Sequence, residues 1–293
     1  MTLREYVDSL RSKTVAVLGV GVSNTPLVRL LLQNGVSVAV CDKRTRQQMG
    51  ALADELERGG CTLRLGPDYL EGLHEDVIFR TPGLRPDMPQ IAAAVSDGSV
   101  LTSEMEAFFQ VCPCPIIAVT GSDGKTTTTT IIAELLKAAG KTVWLGGNIG
   151  HPLLCDADRM RPEDYAVLEL SSFQLMSINT APTVAVIKNV TPNHLNWHTG
   201  MDEYIEAKAK ILAGCHRAVL NYDDSVCRTL GETCSAPVVW FSRSPIPQPF
   251  LQTQAGGVYP KDGRVTLYDS KAGREYPLFD ADVILLVGAH NLE

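Results

Sequence analysis

The sequence predicts an α/β fold built from two successive, mostly parallel sheets, and three observations predict it. Short apolar runs alternate with helix-length segments from residue 14 onward. Two of those runs end in glycine turns that open helices, Gly19-Val20-Gly21 and Gly121-Ser122-Asp123-Gly124. The length of 293 residues, 45% of them hydrophobic, allows about two domains with ample core.

Each element follows from local signals. Residues 14–20 form an apolar strand, and a helix runs from Gly21 to about Gln33, ended by Asn34-Gly35. Residues 36–40 form the next strand, closed by Cys41-Asp42-Lys43-Arg44. A polar helix over 46–58, strands over 62–65, 77–79 and 100–102, and a helix over 103–111 complete the alternation. This N-terminal part is Rossmann-like, and its boundary is placed near 103, giving domains of 1–103 and 104–293. In the second, strands are expected at 115–119, 142–145, 165–170, 183–188, 217–220, 237–241 and 282–287, and helices at 126–139, 202–213 and 223–231. Residues 250–278 read as hairpins turning at Gly256-Gly257 and Asp262-Gly263. This second sheet is of the P-loop ATPase type.

Composition excludes several functions. A net charge of −7 without a Lys/Arg-rich run argues against nucleic-acid binding. No apolar stretch reaches the roughly 18 residues of a membrane span, and the N-terminus is no signal peptide. The eight cysteines are scattered, and Cys112-Pro113-Cys114 lacks metal or redox spacing, so reduced thiols in a cytoplasm are expected.

The most informative stretch is Gly121-Ser122-Asp123-Gly124-Lys125-Thr126, set between a strand and a helix. Loop N–H groups and the helix N-terminus face an anion, Lys125 adds a point charge, and the Thr126 hydroxyl can ligate Mg²⁺. Only two residues separate the glycines, where a general P-loop has four. The N-terminal turn, with Asp42 after the second strand, resembles a dinucleotide fingerprint in which Asn24 replaces the third glycine. It leaves open an NAD-dependent oxidoreductase, or a tight turn without a ligand.

Glu169 ends the apolar run 165–168 and is placed to hold Mg²⁺ beside a P-loop. His194 and His198 stand four apart, but Thr191-Pro192 and the polar run around them argue for a loop rather than a zinc helix. On the helix 202–213, about 100° per residue places Lys208 within the apolar arc of Tyr204, Ile211 and Leu212. That lysine must snorkel out or find a partner. If desolvated, its neutral amine can take up CO₂ as a carbamate, a metal ligand of reversed charge.

These pieces together resemble the Mur ligase family, in the stretches 120–128, 146–150, 169–175, 189–198, 204–208 and 288–291. The run Glu169-Leu170-Ser171-Ser172-Phe173-Gln174-Leu175 is similar to the branch that handles D-glutamate. The resemblance implies ATP-driven amide formation in cytoplasmic peptidoglycan precursor synthesis, serving cell shape and division. The partners implied are UDP-N-acetylmuramoyl-L-alanine, D-glutamate and ATP, with no nucleic acid or membrane, and a monomer is expected. It implies that Gly121, Ser122, Asp123, Gly124, Lys125, Thr126 and Thr127 bind the ATP phosphates, with Asn291 on the adenine side. Thr126 and Glu169 would hold one Mg²⁺, and His194 with a carbamylated Lys208 a second. Val22, Ser23, Asp42, Arg44 and Gly83 would cradle the uridine and its phosphates, and Asn148 and Gln174 the muramoyl portion.

The match has departures: Asp123 stands where the family usually has Asn, Asn193 and Asn196 where many members have aspartates, and Thr81 where serine is usual. The family's C-terminal domain has no counterpart in these 293 residues, so a two-domain fragment that binds its substrates without forming product is expected.

Overall fold

The computed structural model describes residues 1–283, which fall into two compact units. The first comprises Met1–Ile116 and Ala133–Thr180, the second Ile117–Ile132 and the residues from Ala181 on.

The chain opens with α1 (Leu3–Leu10), a helix the sequence reading did not assign. Its signal was a capping box: the Thr2 hydroxyl accepts from Glu5 N–H while the Glu5 carboxylate accepts from Thr2 N–H. Leu3, Tyr6, Val7 and Leu10 then form its buried face. There follow β1 (Thr14–Leu18), α2 (Asn24–Gln33), β2 (Ser37–Asp42), α3 (Arg46–Met49), α4 (Ala51–Arg58), β3 (Thr62–Leu65) and β4 (Val77–Arg80). The helix expected over 46–58 is thus two, broken at Gly50, whose φ of +55° no helix accommodates. Next come α5 (Pro89–Ser96), also unassigned from sequence although proline favours a first helical turn, then β5 (Val100–Thr102) and α6 (Glu104–Val111).

The five strands pair in parallel in the order β3-β2-β1-β4-β5, as predicted for a Rossmann-like sheet. Val15 to Leu18 and Val77 to Arg80 are buried on both faces, which accounts for runs that do not alternate with polar residues. Ala16, Leu18, Cys41, Ile78, Ile91 and Ala94 form the core on one side.

The chain continues through β6 (Ile116–Thr120), α7 (Lys125–Ala138), β7 (Val143–Gly147), β8 (Tyr165–Glu169), α8 (Ser172–Leu175) and β9 (Val184–Ile187). In the first unit β7 pairs with β8 in parallel. After β9 come α9 (Met201–Ala209), prolonged by a 3₁₀ turn to Leu212, β10 (Arg217–Asn221), α10 (Ser225–Thr233), β11 (Val238–Phe241) and α11 (Gln248–Leu251). The strands β12 (Gly256–Lys261), β13 (Arg264–Asp269) and β14 (Arg274–Asp280) end the described chain. In the second unit β6, β9, β10, β11 and β12 are parallel neighbours in that order, and β12, β13 and β14 form an antiparallel meander.

Asp262-Gly263 turns β12 into β13 as expected, whereas Gly256-Gly257 opens β12 instead of turning. A side chain at Gly256 would meet the Tyr268 carbonyl at 2.5 Å, so this glycine serves close strand approach. Of the strand expected at 282–287, residues 281–283 form a 3₁₀ turn and the rest lies outside the described residues. No described helix is long and apolar enough to cross a membrane.

Candidate active site

In the second unit, β6 delivers the chain into the glycine loop and α7 takes over at Lys125. The loop is held from the residue after Lys188. Asn189 Oδ1 accepts from Ser122 N–H at 3.0 Å and Asp123 N–H at 2.9 Å, and its Nδ2 donates to the Asp123 carbonyl at 3.3 Å. The Ser122 hydroxyl donates to the Thr191 carbonyl at 2.9 Å and lies 3.0 Å from the Tyr204 hydroxyl. Gly124 has φ of +74°, and a Cβ there would fall 2.6 Å from the Nζ of buried Lys188. The left-handed φ calls for glycine, and a Cβ would also displace the end of the Lys188 side chain.

Two lysine amines converge on one loop carbonyl. Lys125 Nζ donates to Gly121 O at 3.1 Å and Ser122 O at 2.9 Å. Lys208 Nζ donates to the same Gly121 oxygen at 2.7 Å and lies 4.5 Å from the centre of the Tyr204 ring. Lys208 is 1% exposed, so it does not snorkel. Burial, then the neighbouring Lys125 charge, pushes its pKa down to about 7, against the opposing pull of Asp123. A substantial fraction of this amine is neutral at neutral pH. Thr126 and Thr127 are exposed in the first turn of α7.

His194 is exposed, with a left-handed φ of +54°, and its N–H donates to Asn193 Oδ1 at 2.8 Å. His198 is the buried histidine: its Nδ1 lies 3.0 Å from Glu203 Oε2, and Trp197 and Tyr204 contact its ring. Among the described residues no three His, Cys, Asp or Glu side chains form a metal-ligand cluster.

The first unit carries two further groups. Glu169, 1% exposed at the end of β8, accepts from Asn148 Nδ2 at 2.8 Å through Oε1 and from Asn148 N–H at 2.8 Å through its carbonyl. Gly147 permits this approach, since a Cβ there would stand 2.1 Å from the Glu169 carbonyl oxygen. Gln174 occupies the third position of α8, and its Oε1 accepts from the Ser171 N–H and hydroxyl, both at 3.0 Å. The capping box thus uses the carbonyl end of Gln174 and leaves the amide nitrogen outside the box.

The second group lies at the carboxyl ends of β1, β2 and β4, where doubly wound sheets bind ligands. A cavity of about 350 Å³ is lined there by Gly19, Asp42, Arg44, Tyr69, Thr81 and Gly83, among others. Val22 and Ser23 do not line it; Val22 is exposed and Ser23 precedes α2. Tyr69 was not singled out from sequence, and no local pattern marks it.

Asp42 accepts from Val20 N–H at 2.9 Å, Arg44 N–H at 2.9 Å, Arg44 Nε at 2.9 Å and Arg44 Nη2 at 2.8 Å. Burial alone would raise its pKa, but the hydrogen bonds from Arg44 and Val20 override it and hold the carboxyl below its ordinary range. A carboxylate has about four acceptor positions, and these bonds take them all. It has none left for the ribose hydroxyls that an NAD-type site offers to its acid. Asn291 lies outside the described residues.

One unit carries a parallel sheet with a short glycine–lysine–threonine loop, and the other a Rossmann-like sheet with a cavity at the carboxyl ends of its strands. The chain belongs to the Mur ligase family: the Mur ligase middle domain matches residues 119–276, and the MurD-like N-terminal domain of Mur ligases matches 13–103. It is 43% identical over 295 aligned positions to the UDP-N-acetylmuramoylalanine–D-glutamate ligase of Ruminiclostridium cellulolyticum, covering 99% of this chain and 62% of that protein. The enzyme of the same name from Acetivibrio thermocellus is 41% identical, with 99% and 61% covered. The chain therefore spans about 62% of the length of the curated relatives it matches.

Among solved structures, the UDP-N-acetylmuramate:L-alanyl-γ-D-glutamyl-meso-diaminopimelate ligase of Neisseria meningitides aligns with a TM-score of 0.54 at 17% identity, covering 96% of this chain and 90% of that one. MurF from Acinetobacter baumannii aligns with a TM-score of 0.52 at 15% identity, covering 99% and 62%. At these identities the likeness is one of fold.

Proposed function

We propose that this chain is the nucleotide- and substrate-binding part of a cytoplasmic, monomeric ligase that joins D-glutamate to UDP-N-acetylmuramoyl-L-alanine at the expense of ATP. The observation that carries the reading is the loop 121–124, clamped by Asn189 and faced by Lys125 and the buried Lys208. Strong likeness to curated D-glutamate ligases over 99% of the chain supports it.

The chemistry follows from charge. A carboxylate and a triphosphate repel, so cations must neutralise them before they meet. In this reading Lys125 leaves the loop carbonyls for the β- and γ-phosphates, while the loop N–H groups of residues 121–127 bind phosphate oxygens. The alanyl carboxylate oxygen attacks the γ-phosphorus and ADP departs with the bonding pair. The D-glutamate amine then attacks the acyl carbon, phosphate leaves, and the nitrogen sheds a proton. Asn148 and Gln174 orient the muramoyl end, and Asp42, Arg44 and Gly83 the UDP end.

Magnesium fits the donors present, because it needs only a hydroxyl and one or two carboxylates beside phosphate oxygens and water. Thr126 and Glu169 would hold one ion, and His194 with a carbamylated Lys208 a second. Bound there, the ions neutralise the developing phosphate charge. The lowered basicity of Lys208 supports carbamylation: the neutral amine adds to CO₂ and a proton is released. The product is an acceptor where Lys208 is now a donor, so the group must turn from Gly121 O toward a cation.

Calorimetry on the 293-residue chain tests the reading. UDP-N-acetylmuramoyl-L-alanine and Mg·ATP are expected to bind and NAD is not; binding of NAD alone would refute it. Labelled bicarbonate is expected to give a carbamate resonance that disappears in Lys208→Met and persists in Lys210→Met, and its persistence in both variants would remove the second-ion role.

A further inference from the structure

Arg80 ends β4 with 1% of its surface exposed. Its Nη1 donates to the carbonyls of Thr81 at 3.3 Å, Pro82 at 3.0 Å and Leu84. Its Nη2 donates to the Phe173 carbonyl at 2.9 Å and the Ser177 hydroxyl at 2.8 Å. Nε is buried without a hydrogen-bond partner among the described residues. Burial lowers the pKa to about 10 and Glu106 opposes the shift, so the group is a cation at neutral pH.

The acceptors come from two stretches, one following Arg80 directly and the other beginning 93 residues after it. One is the turn 81–84, whose Thr81, Gly83 and Leu84 line the cavity of the first unit. The other is α8 and the residues after it, the segment that carries Gln174. Burying a cation costs several kcal/mol before its partners compensate, and an apolar residue could end β4 without that cost. What only a planar five-donor fork supplies is fixed geometry between two separate backbones.

That geometry has a direction. The peptide bonds of the described residues are trans, and in a trans peptide the carbonyl and the following N–H point opposite ways. Drawing the Pro82 carbonyl onto the guanidinium therefore turns the Gly83 N–H to the far side of that peptide, on the residue that lines the cavity.

We propose that Arg80 is a positioning residue that aims the Gly83 N–H at the diphosphate of the bound nucleotide and locks that turn to the Gln174 segment. The inference rests on the reading of this cavity as the UDP site. Diphosphate binding thereby depends on a side chain that does not itself line the cavity.

The test uses the 293-residue chain, with UDP and Mg·ATP read by calorimetry and uridine by ligand-observed NMR. Arg80→Lys keeps the charge but loses the fork, and Arg80→Met removes both. UDP affinity is expected to fall roughly tenfold or more in Arg80→Lys, the worth of a charge-assisted hydrogen bond, with uridine and Mg·ATP affinities unchanged. Arg80→Met is expected to lose more. Equal UDP affinity in Arg80→Lys and the unaltered chain overturns the proposal, as does a parallel loss of uridine, which would mean a collapsed cavity. Loss of Mg·ATP binding in Arg80→Lys would make Arg80 a folding residue and overturn it too. Failure of the unaltered chain to bind UDP would instead refute the functional reading, and this inference with it.

Discussion

The chain builds a strand, a glycine turn and a helix twice, at 14–33 and at 116–138, and equips the two turns in opposite ways. At the N-terminal turn the acid from the next strand is consumed by its own neighbourhood: Asp42 spends its acceptor positions on Val20 and Arg44. At the central loop two lysine amines meet on one carbonyl oxygen, and burial lowers the basicity of one of them, Lys208. The first turn pairs its acid with neighbouring donors, whereas the second gathers two amines on one oxygen. The same local motif is therefore equipped with a paired acid in one place and with amines in the other, and what separates them is the side chains brought to each turn.

The sharpest way to break this contrast is Lys125→Ala. Mg·ATP affinity is expected to fall about 100-fold, as for losing charge-assisted bonds of roughly 3 kcal/mol, while UDP affinity holds. Calorimetry with both ligands checks it, and an equal loss of the two would erase the distinction between the turns.

A smaller effect is expected at the other turn. Asp42→Ala strands Arg44 and the Val20 N–H. Breaking a wholly buried pair costs about 3–5 kcal/mol, but the Arg44 side chain is 37% exposed, so about 2 kcal/mol is expected. Thermal unfolding reads it, and UDP binding should weaken with ATP binding intact.

The smallest effect has the most telling pH dependence. The folded pKa of Lys208 is about 7, below the roughly 10.4 of an unfolded lysine. Between those values the unfolded chain binds more protons, so Lys208 opposes folding fully below pH 7 and ceases to do so toward pH 10. Lys208→Met, in buffer free of CO₂, is expected to stabilise by about 1–2 kcal/mol at pH 6, after the lost bond to Gly121 is set against the relieved desolvation. The gain should vanish near pH 10. A constant difference across that range would mean that the amine is not the source.

The contrast also explains what could be read from sequence. The parallel sheets were legible because doubly buried strands are continuous apolar runs, and the phosphate loop because its chemistry lies within six consecutive residues. Lys208 was legible because helical periodicity alone placed a charge in an apolar arc. Arg80, Asn189 and Tyr69 were not. Each acts on a segment distant in the chain, Asn189 on residues 66 and 67 positions earlier, and nothing local marks an arginine at a strand end as a staple. The helix at 3–10 carries its signal in Thr2 and Glu5, a capping box that only the folded hydrogen bonds make evident. The break at Gly50 and the straight run through Gly256-Gly257 depend on backbone angles and neighbouring strands, which no propensity encodes.

The Lys125 ammonium rests on the oxygens of Gly121 and Ser122, in its own loop. In the function proposed above, a nucleotide draws it away from those oxygens before gaining its charge. The binding strength measured for any phosphate ester is then a difference between two resting places of one side chain, less than the filled site's contacts would suggest. On that reading a phosphate ester too short to reach Lys125 gains nothing from its charge, and selection by tail length follows from the resting place of one side chain.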